Sequence, residues 1–203
     1  MTTEAHIHIL RQENVPARPV EDFCDELAPD LIVEAVERPE PGPFAALEWL
    51  IPTAVIAYLA KPYFTAFLGE AGKDHYHMLK AAVSKLGRAY TLQSPAAQRY
   101  VASKGKVESE VPDYFLTFSV LAYVHQNLNF KLLIRSGAGD EELEKSISSF
   151  LYTVLRIHSG EYQEGEIRGI HGAKPYSDTI ILGFDADSEQ LFVLDPLKRR
   201  KQI

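Results

Sequence analysis

Four histidines and one aspartate have a spacing that could support metal chemistry. His6 and His8 are two positions apart on a predicted strand, so both side chains point to the same face and could form half a metal site. His75 and His77 are two positions apart on a predicted helix, where side chains diverge, whereas Asp74 and His77 are three apart and could touch. No His-Glu-x-x-His pattern completes either pair. We therefore expect ordinary surface residues and keep metal binding as an alternative.

A glycine-rich stretch near the C-terminus is a second candidate. Residues 160–172 contain four glycines, and Arg168 and His171 could hold an anion there. Long loops in compact domains are often functional. A flexible surface loop remains the simpler interpretation.

The remaining candidate motifs lack either the residue spacing or the chemical environment that their function requires. Gly69 and Gly72 precede Lys73, but a phosphate loop needs four residues between its glycines and a hydroxyl residue after the lysine. Cys24 lies among acidic residues that would raise its pKa and reduce its reactivity. No Gly-x-Ser-x-Gly elbow occurs. The sequence therefore assigns no catalytic residue, cofactor or metal ligand, and it favours a non-enzymatic protein.

Composition indicates one α+β domain over residues 1–203. The chain is 46% hydrophobic and 24% charged, which is typical of globular proteins. Its net charge of -7 argues against nucleic-acid binding, which needs clustered cations. The single cysteine and the absence of an N-terminal signal pattern predict a cytoplasmic location. The basic tail at 198–203 is expected to be flexible and could touch an acidic partner, nucleic acid or anionic lipid.

Residue patterns predict a largely antiparallel sheet of five or six strands with helices on one face. The predicted strands are roughly 6–10, 31–36, 114–124, 130–135, 179–184 and 191–194. Pro19 is suited to the first turn of a short helix that reaches Leu27. The main helices are a kinked pair at 44–60 and 62–88, which bends at Lys61-Pro62, and a helix at 140–158.

The apolar run that begins at Ala45 could lie either in the protein core or in a membrane. A membrane span needs about 20 apolar residues. Here Glu48 interrupts the run near its start, and Lys61 ends it after about 16 residues. We therefore expect a buried core helix. A membrane-seated segment at 45–68 is the alternative, since Trp49, Tyr58 and Tyr63 could lie at a lipid interface.

Three functional hypotheses remain. The first is a protein-protein interaction or assembly module with a protein partner or self-association, supported by surplus apolar surface in residues 45–90. The segment 45–68 within this stretch is the basis of the next hypothesis. The second is a membrane-peripheral protein that uses this segment. The third is an unrecognised enzyme or metal-binding protein that uses His6, His8, His75 or His77. A cleft shared by His6, His75 and Arg168 would favour the third.

Overall fold

A computed structural model describes residues 4–28, 30–39, 53–67, 72–91, 114–126, 128–162 and 166–195. Within these ranges the strands are β1 (Ile7–Gln12), β2 (Val33–Arg38), β3 (Val55–Leu59), β4 (Tyr114–His125), β5 (Leu128–Arg135), β6 (Ile167–Arg168), β7 (Thr179–Asp185) and β8 (Gln190–Val193). The helices are α1 (Arg18–Leu27), α2 (Lys61–Phe67), α3 (Gly72–Thr91) and α4 (Asp140–Ser159).

The described strands form one mixed sheet in the order β2-β1-β3-β4-β5-β7-β8-β6. The α+β class is confirmed, but the predicted largely antiparallel pairing is wrong. Four neighbouring pairs are parallel and three are antiparallel. The reason is that α1 connects β1 to β2, α2 and α3 connect β3 to β4, and α4 connects β5 to β7. A helical crossover of this kind returns the chain parallel to the strand it left.

The predicted helix at 44–60 is corrected where the structure describes it, because Val55–Leu59 is strand β3. This strand lies between β1 and β4, and Val55 and Ile56 are buried although they point to opposite faces. A strand buried on both faces is apolar throughout, so its sequence resembles that of a buried helix. Residues 44–52 lie outside the described ranges.

The predicted helix at 62–88 corresponds to α2 and α3, with residues 68–71 outside the described ranges. The described part of the proposed membrane-seated segment contributes Val55, Leu59 and Phe64 to the protein core. Within the described ranges, no helix is both long and apolar enough to cross a bilayer.

The predicted helices at Pro19–Leu27 and 140–158 are confirmed as α1 and α4. Local sequence explains α4 well. Its first turn carries three acidic residues, which suit the positive end of the helix dipole. Gly160 ends it with a φ of 75°, a left-handed conformation that glycine adopts without a steric penalty.

The core lies between the helices and one face of the sheet, which we call the first face. Along each strand, residues that point to the first face alternate with residues that point to the opposite face. Examples of residues on the first face are Ile9, Ala57, Val120 and Leu132. All four described helices contribute buried side chains to the same cluster, including Phe23, Phe64, Leu86 and Phe150. The opposite face, which we call the second face, carries the buried residues Ile56, Ser119, Lys131, Leu133 and Ile181.

Candidate functional site

The first histidine pair contacts neighbouring segments of the sheet, with His6 just before β1 and His8 within it. His6 Nδ1 accepts a hydrogen bond from the Ile32 backbone N–H at 3.0 Å, and burial lowers the pKa of His6. His8 Nδ1 lies 3.2 Å from a carboxylate oxygen of Glu34, and its ring stacks on Tyr58 with centroids 6.0 Å apart. The contacts of His8 follow from strand register, because His8 lies opposite both Glu34 in β2 and Tyr58 in β3.

The second histidine pair lies in the first half of α3. His77 is exposed and meets Tyr76 edge-on, with ring centroids 5.5 Å apart. His75 is partly exposed. The side chain of Asp74 lies outside the described residues, so its predicted contact with His77 stays a prediction.

The anion site predicted at Arg168 and His171 has a different arrangement. Arg168 in β6 donates a hydrogen bond to Asp185 at 2.8 Å and lies over the Phe192 ring, 5.2 Å from its centroid. The Arg168 hydrogen bond holds the pKa of Asp185 below its ordinary value. His171 is exposed in a turn beyond β6. The guanidinium proposed to hold an anion is therefore already bound to a carboxylate of the chain.

The structure does not bring the predicted residues together in one cleft. His6 precedes β1, near one end of the sheet, and Arg168 lies in β6 at the other end. Six strand spacings of about 4.8 Å place them about 29 Å apart. Among the described residues, no group of three or more histidine, cysteine, aspartate or glutamate side chains converges on a metal-sized site.

The second face contains a polar cluster that the sequence analysis missed. Lys131 of β5 is only 6% exposed, and burial lowers its pKa to about 8, with the nearby charge of Arg38 acting in the same direction. The buried hydroxyls of Thr53 and Ser119 are hydrogen-bonded to each other. The available signal was a lysine inside the otherwise apolar run Phe130–Ile134. A charge in such a run predicts either a solvated face or a buried cation.

A shallow groove of about 300 Å³ lies between α3, α4 and the β7–β8 hairpin. Several of its polar side chains already have partners within the chain. Tyr76 donates to the Ser148 carbonyl at 3.2 Å, and Lys145 lies within 3.0 Å of both Glu141 and Glu189. The groove therefore has few charged groups that are free to bind a ligand.

The feature that most resembles a binding surface is the outer edge of β2. Strand β2 ends the sheet order, and no other described strand pairs with its outer side. The carbonyls of Ile32 and Arg38 accept hydrogen bonds from the N–H groups of His6 and Glu13 beside β1. Because backbone groups alternate in direction along a strand, the peptide groups of Val33, Ala35 and Glu37 point away from the sheet.

The side chains along this edge are more exposed than those of any other long strand. Four consecutive residues, 34–37, are exposed. Val36 is 36% exposed, and Ile32, just before the strand, is 40% exposed. We call Ile32–Pro39 the β2 edge. Within the part of the chain that the structure describes, it combines outward-pointing backbone groups that pair with no other strand with exposed apolar side chains, which is the arrangement that accepts an added strand.

Comparisons with protein-family models, with curated proteins and with solved structures each return no match.

Proposed function

We propose that the chain is a non-enzymatic protein-protein interaction module that binds an extended strand of its partner at the β2 edge. The observation that carries the proposal is the row of outward-pointing peptide groups at Val33, Ala35 and Glu37. In strand addition, such groups provide affinity through main-chain hydrogen bonds, and the alternate side chains provide specificity. A net charge of -7 favours a protein partner over nucleic acid. The proposal includes the reducing, cytoplasmic setting expected from a single cysteine.

The charged residues of the β2 edge are compatible with this role. Natural proteins place charges and prolines on exposed edges to prevent indiscriminate pairing. Here Glu34, Glu37, Arg38 and Pro39 flank an apolar Val36. Such an edge rejects most strands and accepts one whose charges match in register.

Site-specific photo-crosslinking in cells tests the proposal. The photoreactive residue p-benzoylphenylalanine replaces Val36 in one variant and Tyr152, which is 55% exposed on α4, in a matched control. We expect a discrete crosslinked protein from position 36 and none from position 152. The second variant Ala35→Pro removes one outward N–H group, a change that edge strands tolerate, and it should abolish the crosslink.

Circular dichroism and thermal unfolding of Ala35→Pro provide the folding control. If the crosslink at position 36 persists in a folded Ala35→Pro protein, or if position 152 gives the same product, the β2 edge is not the binding surface. Glu37→Pro removes a second outward N–H group and should have the same effect as Ala35→Pro.

A further inference from the structure

We propose that the partner at the β2 edge is a second copy of this chain, paired antiparallel with Val36 on the twofold axis. The inference rests on the proposed function and names its partner. Two observations carry it: the direction of the backbone groups along β2 and the order of charges on the second face.

Backbone direction limits the registers available to two antiparallel β2 strands. Residues that exchange hydrogen bonds must both point outward, so Val33, Ala35 and Glu37 can only face one another or Pro39. With Val36 on the axis, Ala35 of each copy lies opposite Glu37 of the other. Val33 of each copy can also donate to the Pro39 carbonyl. This register forms about six main-chain hydrogen bonds.

Charge order then selects among the registers that backbone direction allows. With Val36 on the axis, Glu34 of each copy lies opposite Arg38 of the other in a non-hydrogen-bonded pair, where side chains are closest. Centring on Ala35 would place Glu34 opposite Val36, and centring on Glu34 would place two glutamates together. Only the Val36 register combines an apolar pair with two pairs of opposite charge.

Charge reversal and its rescue test the register. Sedimentation velocity over a concentration series should give a dimer of twice the 22.8 kDa chain mass. Glu34→Arg places two like-charge pairs across the axis, and Arg38→Glu does the same. Each should raise the dimer dissociation constant about 10- to 30-fold. The double variant Glu34→Arg/Arg38→Glu restores opposite charges and should return within about threefold of wild type.

The control variant is Glu141→Arg, which reverses an exposed charge on α4 and should leave the dissociation constant unchanged. If Ala35→Pro abolishes the dimer but the double variant does not recover the affinity lost in the single charge reversals, the proposed register is wrong. The β2 edge then remains the interface. A monomer at all concentrations, with a position-36 crosslink to a different protein, would overturn the second copy as partner and retain the proposed function. A monomer without that crosslink would overturn both.

Discussion

The buried cation Lys131 should make folding stability rise with pH in a range where most globular proteins change little. Burial lowers its pKa from an ordinary value of 10.5 to about 8. Below pH 8 both folded and unfolded states carry the proton, and the folded state bears the full cost of the buried charge. Between pH 8 and 10.5 the folded protein has released the proton and the unfolded chain has kept it. Stability must therefore increase with pH.

The size of this increase follows from the pKa difference. A difference of about 2.5 pH units corresponds to about 3 kcal/mol when it is fully expressed. Over the practical range from about pH 7.5 to 9.3, integration of the two titration curves gives about 1.5 kcal/mol. The matched protein is Lys131→Met, which keeps a long apolar side chain and removes the charge.

The assay is urea unfolding of both proteins at several pH values, with free energies from linear extrapolation. The wild type should gain about 1.5 kcal/mol relative to Lys131→Met between the two ends of the range. Cys24 and several tyrosines also have raised pKa values, but both proteins contain them, so the difference between the profiles removes their contribution.

Two further variants sharpen this measurement. Lys174→Met removes an exposed lysine, and its profile should run parallel to that of the wild type. Arg38→Met removes the positive charge that also lowers the pKa of Lys131, so it should move the rise in stability to higher pH. Parallel profiles for the wild type and Lys131→Met would refute the buried-cation argument.

Two other predictions concern the packing of the sheet and of α4. His158 stacks on Phe64 with ring centroids 3.9 Å apart, and burial lowers its pKa below 6.5, so stability should fall as pH falls through 6.5. Its NMR titration should have a midpoint below 6.5, and His158→Gln should flatten that part of the stability profile. A Cβ added at Gly183 would lie 2.8 Å from Phe192, so Gly183→Ala should cost about 1 to 3 kcal/mol by thermal unfolding. Adding Phe192→Leu should recover part of that loss, and no recovery would contradict the steric explanation.

Elements with local signals were predictable from the sequence. The helix α4 has acidic residues at its start, an apolar stripe and Gly160 at its end, and all three signals lie within about 20 residues. The β4–β5 and β7–β8 hairpins have short connections between apolar runs and are both present. In each case the interactions that define the element are close in sequence.

The remaining features depend on contacts between distant segments. Whether Val55–Leu59 is a helix or a strand is decided by its position between β1 and β4, which no local pattern specifies. The contact of His8 with Glu34 depends on register between strands 26 residues apart in the chain. The exposed status of β2 follows from strand order. The candidate site is therefore determined by the order of the strands in the sheet. The residue motifs instead indicated histidines that do not lie together in the structure.

The two ends of the sheet differ in a way that bears on assembly. An interface between β2 of one copy and β6 of the next would be heterologous and would continue as an open filament unless its rotation closed a ring. Strand β6 spans only Ile167–Arg168, so it offers few backbone groups to an added strand. Between the two edges of the described sheet, only another β2 offers the six-residue β2 a partner strand of equal length. Pairing of this kind uses the same surface on both copies and closes after two. Association should therefore stop at the dimer, and the sedimentation series should show no larger species as the concentration rises.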